Sequence, residues 1–154
     1  MKTFLIFLSF LFLSNPYTIH QDKILRIDKK GNIVGLPKQF APAKFDLATK
    51  KLRIKDREVL FPKCLSSYFE QHRNPKLNLS ASWYHEKRIL PYYLNFEIND
   101  KNSYYGYTIL INLETLELIY MNKSIIEGNK IHNPKVDLGE QCLRAYAAAI
   151  KTVN

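Results

Sequence analysis

Residues 45–61, FDLATKKLRIKDREVLF, alternate apolar and charged side chains across two short polar interruptions. Alternation with a period of two is typical of strands that bury one face and expose the other. A four-residue loop at residues 48–51 and a two-residue loop at residues 56–57 place the apolar side chains on one face: Phe45, Leu47, Leu52, Ile54, Val59 and Phe61. Because two independent turns select the same face, the pattern predicts a three-stranded antiparallel meander.

The first of these turns has a counterpart further along the chain. The frame x-Asp/Asn-Leu-x-Thr-x-x-Leu occurs in FDLATKKLRI and again in INLETLELIY. The side chain of Asp46 or Asn112 can accept backbone hydrogen bonds at the turn entrance, with Thr49 or Thr115 inside the turn. We interpret both stretches as tight hairpins, since three identities in ten positions do not establish a duplication.

A second meander is predicted between residues 77 and 120, with loops at residues 85–91, 99–104 and 114–117. Its inner face is apolar and aromatic, with the following members: Leu77, Leu79, Ala81, Trp83, Leu94, Phe96, Ile98, Tyr105, Tyr107, Ile109, Ile111, Leu113, Leu118 and Tyr120. An earlier hairpin is predicted around the Lys-Gly-Asn tripeptide at residues 30–32. The connection at residues 121–135 is long for a compact domain, so it is either functional or contains another short strand.

Two helices complete the predicted fold. The stretch FPKCLSSYFEQH begins with Pro62, which suits a first helical position. The C-terminal stretch VDLGEQCLRAYAAAIKTV has Asp137 at the N-cap position and Glu140 three residues later, as in a capping box. Its apolar stripe is expected to cover the inner face of the second sheet. The sequence therefore predicts an α+β fold, in which antiparallel meanders pack against a C-terminal helix and one shorter helix is present.

The two cysteines, Cys64 and Cys142, lie on apolar faces of the two predicted helices. In an exported protein, a pair of cysteines is most simply interpreted as one disulfide. Two buried free thiols are the alternative. We predict a disulfide between the two helices, which would stabilise the fold by closing a long loop.

The N-terminus has the features of a secretory signal peptide. Lys2 precedes a run of ten apolar or serine residues at positions 4–13, and polar residues follow. Such a run matches the apolar region of a signal peptide and is shorter than the roughly 20 residues that span a bilayer. An uncleaved anchor is the alternative. We predict a signal peptide over residues 1–19 and a single globular domain over residues 20–154, periplasmic or extracellular, without a transmembrane segment in the mature chain.

The positive charge is concentrated in one half of the predicted mature chain. Residues 20–76 contain 14 Lys and Arg against 6 Asp and Glu, whereas residues 77–154 contain 8 of each kind. Such asymmetry favours an anionic partner, which is either another protein or an anionic envelope component. Export makes nucleic acid an unexpected partner, and a basic surface that serves only solubility is the alternative.

The sequence contains no pattern of catalytic or metal-binding residues. The motifs G-x-S-x-G, H-E-x-x-H and Cys-x-x-Cys are absent, as is a P-loop, and the four histidines show no ligand spacing. Neither cysteine is placed as an exposed thiolate nucleophile. We therefore predict no catalytic residues, no metal ligands and no cofactor.

Two groups of residues are candidates for binding. Lys51, Arg53 and Lys55 alternate onto one outer face of a strand, and Arg57 follows in the turn. Tyrosines on the outer face of the second meander lie among serines and asparagines, where they can stack on a partner or simply pair across strands: Tyr84, Tyr93 and Tyr104. The segment YLNFEIN…YYGYTILINLETLELIY is similar to hairpins of small exported inhibitory domains, and this resemblance assigns no residue a role.

These features favour a non-enzymatic protein-binding module, such as an inhibitor or an immunity-type partner. An envelope- or membrane-surface-associated protein that uses the basic face is the alternative, and a small secreted enzyme is the third possibility.

Overall fold

The computed structural model describes residues 20–71, 76–84, 92–99 and 105–153. These residues form a seven-stranded and a four-stranded antiparallel sheet. In spatial order, the larger sheet consists of β10 (Lys130–His132), β9 (Leu118–Glu127), β8 (Tyr105–Asn112), β7 (Tyr92–Asn99), β6 (Lys76–Tyr84), β1 (His20–Ile27) and β2 (Ile33–Val34). The smaller sheet consists of β11 (Ile150–Thr152), β5 (Arg57–Leu60), β4 (Lys51–Ile54) and β3 (Ala43–Asp46). The predicted signal peptide and Tyr104 lie outside the described residues.

The two helices lie where the sequence predicts them, but their ends differ. Helix α1 (Lys63–Glu70) has Pro62 at its N-cap in an extended conformation, rather than at the first helical position. Helix α2 (Gly139–Ala149) has Leu138 at its N-cap, and Asp137 instead accepts a hydrogen bond from the Gly139 N–H at 2.9 Å. The predicted capping box is therefore wrong. Helix α2 contacts β5 and β11 of the smaller sheet and β9 of the larger one, so it bridges both sheets.

The predicted α+β class, with antiparallel sheets, a C-terminal helix and one other short helix, is confirmed. The two sheets approach each other at the start of β3. Asn32 forms an isolated bridge with Lys44, and the Phe45 N–H donates to the Gly31 carbonyl oxygen at 2.8 Å. This contact links the β1–β2 turn of the larger sheet to the edge of the smaller sheet.

The core between the sheets is built on a cluster of aromatic rings. Phe45 of β3 contacts Phe96 of β7 edge to face, with ring centroids 5.0 Å apart. The ring centroid of Phe61 lies 5.8 Å from those of both Phe96 and Tyr146. The ring centroid of Phe69 of α1 lies 6.0 Å from that of Phe45. Each fully buried large apolar side chain contributes about 1.5–3 kcal/mol to stability, and edge-to-face pairs add to that.

The strand registers differ from the prediction by two residues, while the predicted faces are largely correct. Phe45 pairs with Leu52 and not with Ile54, and the two-residue β4–β5 turn lies at residues 55–56. A slip of two residues keeps every side chain on its original face, whereas a slip of one would reverse the faces. Leu47 is the exception in this sheet, because the slip moves it into the β3–β4 turn, where it is 44% exposed.

A β-bulge between β8 and β9 overturns one predicted core position. Ile111 pairs with Leu118, but Leu110 pairs with Tyr120, so Ile119 is the extra residue. This reverses the faces from that point onward, since a bulge shifts the register by one. Met121 is therefore buried, whereas Tyr120, predicted to be internal, is only partly buried.

The long connection at residues 121–135 is mostly strand. Its first part completes β9, and β10 then returns along β9 with Ile131 opposite Ile126. After β10, the Lys123 N–H donates to Pro134 O at 2.9 Å and the Val136 N–H donates to Met121 O at 2.7 Å. The expectation of a further short strand is confirmed.

The two related turns have the same hydrogen bonds. Asp46 Oδ1 accepts from the N–H groups of Ala48 and Thr49 at 2.9 and 3.2 Å. Asn112 Oδ1 accepts from the N–H groups two and three residues later at 2.8 and 3.1 Å. In each turn the fourth residue after the cap has a positive φ, +58° at Lys50 and +62° at Leu116. The predicted role of Asp46 and Asn112 at the turn entrance is confirmed.

Candidate functional site: a basic sheet face

The four predicted basic residues lie on β4, in the β4–β5 turn and at the start of β5, and they do not form a single stripe. Lys51 and Arg53 are on β4, and their side chains lie on the opposite face of the sheet from the buried Leu52. Lys55 lies in the β4–β5 turn with φ +54°, and Arg57 is the first residue of β5. The prediction that Lys55 continues the strand is wrong, because the chain turns one residue earlier than expected.

The outer face of the smaller sheet carries a row of charged residues that crosses all four strands. Lys44 of β3 pairs with Arg53 of β4, Arg53 with Glu58 of β5, and Glu58 with Lys151 of β11. Neighbouring strands are about 4.8 Å apart, so the row spans about 14 Å. Lys44, Arg53 and Lys151 are exposed, and Glu58 is partly buried.

The carboxylate within this row is engaged by a different cation. Glu58 Oε2 forms a 2.8 Å salt bridge with Nζ of Lys51, which lies in the next cross-strand row. Arg53 uses its Nε–H to donate to the Lys55 carbonyl oxygen at 3.2 Å, one of the five N–H donors of a guanidinium. Within the described residues, Lys44 and Lys151 form no salt bridge. The row therefore offers three cations to an external anion.

The second row of the face adds a carboxylate and an apolar side chain. Asp46 pairs with Lys51, and Lys51 pairs with Leu60. The hydrogen bonds from the N–H groups of Thr49 and Ala48 hold the pKa of Asp46 below its usual value, so it stays ionised while it caps the turn. Leu60 is 52% exposed on the outer face. Four cations against two carboxylates leave this face with a net positive charge. We refer to these seven residues as the basic face: Lys44, Asp46, Lys51, Arg53, Glu58, Leu60 and Lys151.

The disulfide joins the two helices, and β11 with Lys151 follows directly after the second of them. Cys64 at the start of α1 and Cys142 of α2 are bonded, with Cα atoms 6.0 Å apart, as predicted. Cys142 is buried and Cys64 is exposed, so the expectation that both lie on buried faces holds for Cys142 alone. The strand that follows α2, β11, pairs with β5, and this pairing places Lys151 opposite Glu58.

Sequence reasoning missed Lys44 and Lys151 for different reasons. Lys44 precedes Asp46 by two residues, so period-two alternation already places it on the outer face, and that signal was available. Lys151 was assigned to the C-terminal helix, because the run AYAAAIKTV favours a helix locally. Its position became clear only from the pairing of β11 with β5.

The predicted tyrosine surface is described only in part. Tyr93 of β7 is partly buried and pairs with Ser82 of β6 and Asn112 of β8. Tyr84 pairs with His20 at the end of β6, and its side chain lies outside the described part of the structure. The structure therefore does not define a site from these tyrosines.

An apolar groove of about 320 Å³ is present on the larger sheet. It runs between β9 and the segment leading into α2. The bulge residue Ile119 and Leu143 of α2 line it and are 42% and 47% exposed. Lys135 and Asp137 also contribute to its walls.

The described residues contain no group of three or more His, Cys, Asp or Glu side chains placed to hold a metal ion. Neither α1 nor α2 combines the length and apolar content that crossing a bilayer requires, within the part of the chain that the structure describes.

Comparison with protein-family models, with curated proteins and with solved structures finds no match to this chain.

Proposed function

We propose that this chain is an exported, non-enzymatic binding module that recognises an acidic protein through the basic face. An inhibitor or an immunity-type partner would act in this way. The observation that carries the proposal is the row of Lys44, Arg53 and Lys151, because the carboxylate of that row, Glu58, forms its salt bridge with Lys51. Unpaired cations close together repel one another slightly, and an anionic partner converts this repulsion into attraction.

The composition of the basic face favours a protein partner over a lipid surface. Lipid surfaces attract clusters of like charge and apolar side chains that insert between headgroups. This face instead intersperses the carboxylates of Asp46 and Glu58 with its cations, and the exposed Leu60 lies beside Lys51. A mixed pattern with one apolar contact suits a partner of defined shape and charge.

The disulfide supports the exported part of the proposal. The bond between Cys64 and Cys142 is compatible with an oxidising compartment, where such bonds form and persist.

The proposal is tested with a partner captured by affinity purification from the periplasm and culture medium of the native host. Association rates are then measured at low ionic strength for an Arg53→Ser/Lys151→Ser variant and for a matched Lys130→Ser/Lys135→Ser control. Lys130 and Lys135 lie at the β10 edge of the other sheet, so the control removes the same charge elsewhere. We expect the first variant to associate several-fold more slowly, with a nearly unchanged melting temperature, and the control to resemble the wild type.

Equal association rates for both variants would show that the basic face is not the recognition surface. A second arm uses vesicles containing anionic phosphatidylglycerol. Salt-sensitive binding to these vesicles, without any stoichiometric protein partner, would contradict the proposal and favour the envelope-associated alternative.

A further inference from the structure

A cleft of about 420 Å³ adjoins the basic face and shares Lys44 with it. Residues 27–31 of the β1–β2 turn form one wall, and residues 44–48 of β3 and its turn form the other. The cleft therefore lies between two turns that belong to different sheets. Its volume is within the range of small-ligand sites, so it can admit one side chain of a partner.

Gly31 allows the two walls to approach closely. It has φ +83°, and a Cβ atom there would lie 2.9 Å from Phe45 O and 3.3 Å from Lys44 Cε. The Lys44 side chain thus runs directly over Gly31, and the Phe45 N–H bond to Gly31 O holds the turn in place. Lys29 and Lys30 of this turn line the same cleft as Lys44.

The two carboxylates in the cleft, those of Asp28 and Asp46, accept backbone hydrogen bonds within their own turns. Asp28 Oδ1 accepts from the N–H groups of Lys30 and Asn32 at 2.8 and 2.9 Å, and Oδ2 accepts from Asn32 Nδ2 at 2.7 Å. Asp46 caps the next turn through two N–H groups. The hydrogen bonds from Asn32 are the main cause of the lowered pKa of Asp28, and the charge of Lys30 is the least of the contributions. In the described structure, none of Lys29, Lys30 and Lys44 forms a salt bridge.

We infer that this cleft binds a carboxylate side chain from an acidic segment of the partner, with Lys30 and Lys44 as the principal contacts and Lys29 at the rim. The inference rests on the proposed function and identifies where the anchoring acidic residue enters. A carboxylate bound between two ammonium groups gains charge-assisted hydrogen bonds. The rigid attachment of the turn through Gly31 reduces the entropy lost on binding.

The test is an amide ¹H–¹⁵N titration of the mature chain with a hexaglutamate peptide, and in parallel with inorganic phosphate. We expect the largest peptide-induced shifts at Lys30, Gly31 and Lys44. A Lys30→Gln/Lys44→Gln variant is expected to bind the peptide about fivefold more weakly, which is the upper range for an exposed ion pair. A Lys130→Gln/Lys135→Gln variant, which loses the same charge, should bind it as the wild type does.

Equal weakening in both double variants, or shifts spread evenly over the exposed lysines, would overturn the inference in favour of nonspecific charge attraction. Phosphate binding at the same amides more tightly than the peptide would also overturn it, because the cleft would then select a free anion. If the cleft variant binds normally while Arg53→Ser/Lys151→Ser still slows association with the protein partner, the cleft inference fails and the proposed function stands. If the cleft binds the peptide but no acidic protein partner depends on the basic face, the proposed function fails.

Discussion

The hydroxyl of Tyr146 in α2 donates a hydrogen bond of 2.9 Å to the carbonyl oxygen of Leu116 in the β8–β9 turn. Both residues are buried, and Leu116 has φ +62°, a conformation that side chains other than glycine rarely adopt. The bond satisfies a buried carbonyl and joins the C-terminal helix to the tip of the larger sheet. The strained turn and the helix therefore stabilise each other.

Replacing this tyrosine tests the link directly. Tyr146→Phe keeps the ring packed against Phe61 but leaves the Leu116 carbonyl without its partner, which costs about 1–3 kcal/mol. Tyr68→Phe is the matched control, because the Tyr68 hydroxyl has no hydrogen-bond partner among the described residues. Urea unfolding should show a clear loss of unfolding free energy for Tyr146→Phe and less than half that loss for Tyr68→Phe. Equal losses would mean that the bond contributes nothing specific.

Tyr146 also predicts how stability changes in alkali. Burial raises the pKa of Tyr146 well above its usual 10.0. In the unfolded chain the phenol ionises near its usual pKa, so above that pH the native state holds a proton that the unfolded state has lost. Stability from this group is therefore complete below about pH 10 and declines as the pH rises further. The unfolding free energy of Tyr146→Phe should decline less steeply from about pH 9 to about pH 11 than that of the wild type, and parallel curves would exclude this role.

The cap at Asp46 predicts an effect in acid. The hydrogen bonds from Thr49 and Ala48 lower its folded pKa below the usual 3.8, so its contribution is complete above that value and is lost as the pH falls through the folded pKa. Asp46→Asn keeps an amide oxygen as the cap, as Asn112 does naturally, but it cannot titrate. We expect the wild type to lose more stability than Asp46→Asn between about pH 5 and about pH 2, measured by thermal melts. A constant difference between the two melting curves across that range would contradict the assignment.

The β4–β5 turn contains a correctable strain. Lys55 has φ +54° at the first position of a two-residue turn, where glycine is favoured. Lys55→Gly should raise the unfolding free energy by about 0.5 kcal/mol, since relief of strain outweighs the greater freedom of glycine in the unfolded chain. Lys55→Ala removes the same charge and keeps the strain, so it should not stabilise. If both variants gain equally, the gain comes from removing charge.

The disulfide closes a loop with a sequence separation of 78 residues. On the chain-entropy model, such a cross-link stabilises by about 4 kcal/mol. The Cys64→Ala/Cys142→Ala variant should lose roughly that amount in guanidinium unfolding. Added reductant should bring the wild type down to the same midpoint and leave the variant unchanged. If the reduced wild type still unfolds at its original midpoint, the bond contributes little to stability.

Much of the sheet architecture follows from local patterns. Alternation with a period of two assigns Phe45, Leu52 and Ile54 to the core face, and a slip of two residues in the pairing leaves that assignment intact. The turns at Asp46 and Asn112 are equally local, because a short side chain caps the backbone within three residues of itself. The disulfide was predictable because both cysteines lie on apolar faces of predicted helices in a chain predicted to be exported.

The remaining features depended on partners far away in the chain. The positive φ angles at Lys50, Lys55 and Leu116 are tolerated only because pairing and packing hold the turns, so propensity placed the loops one residue too late. The run before Lys151 is helical by local preference, and it ends early because the edge of β5 offers backbone hydrogen bonds to residues 150–152. Local sequence therefore determined which side chains of the strands face the core and which side chains cap the turns. Lys151 joins the row of Lys44 and Arg53, and the cleft at Gly31 forms, only where strands distant in sequence meet, since that pairing is decided by tertiary contacts and not by local sequence.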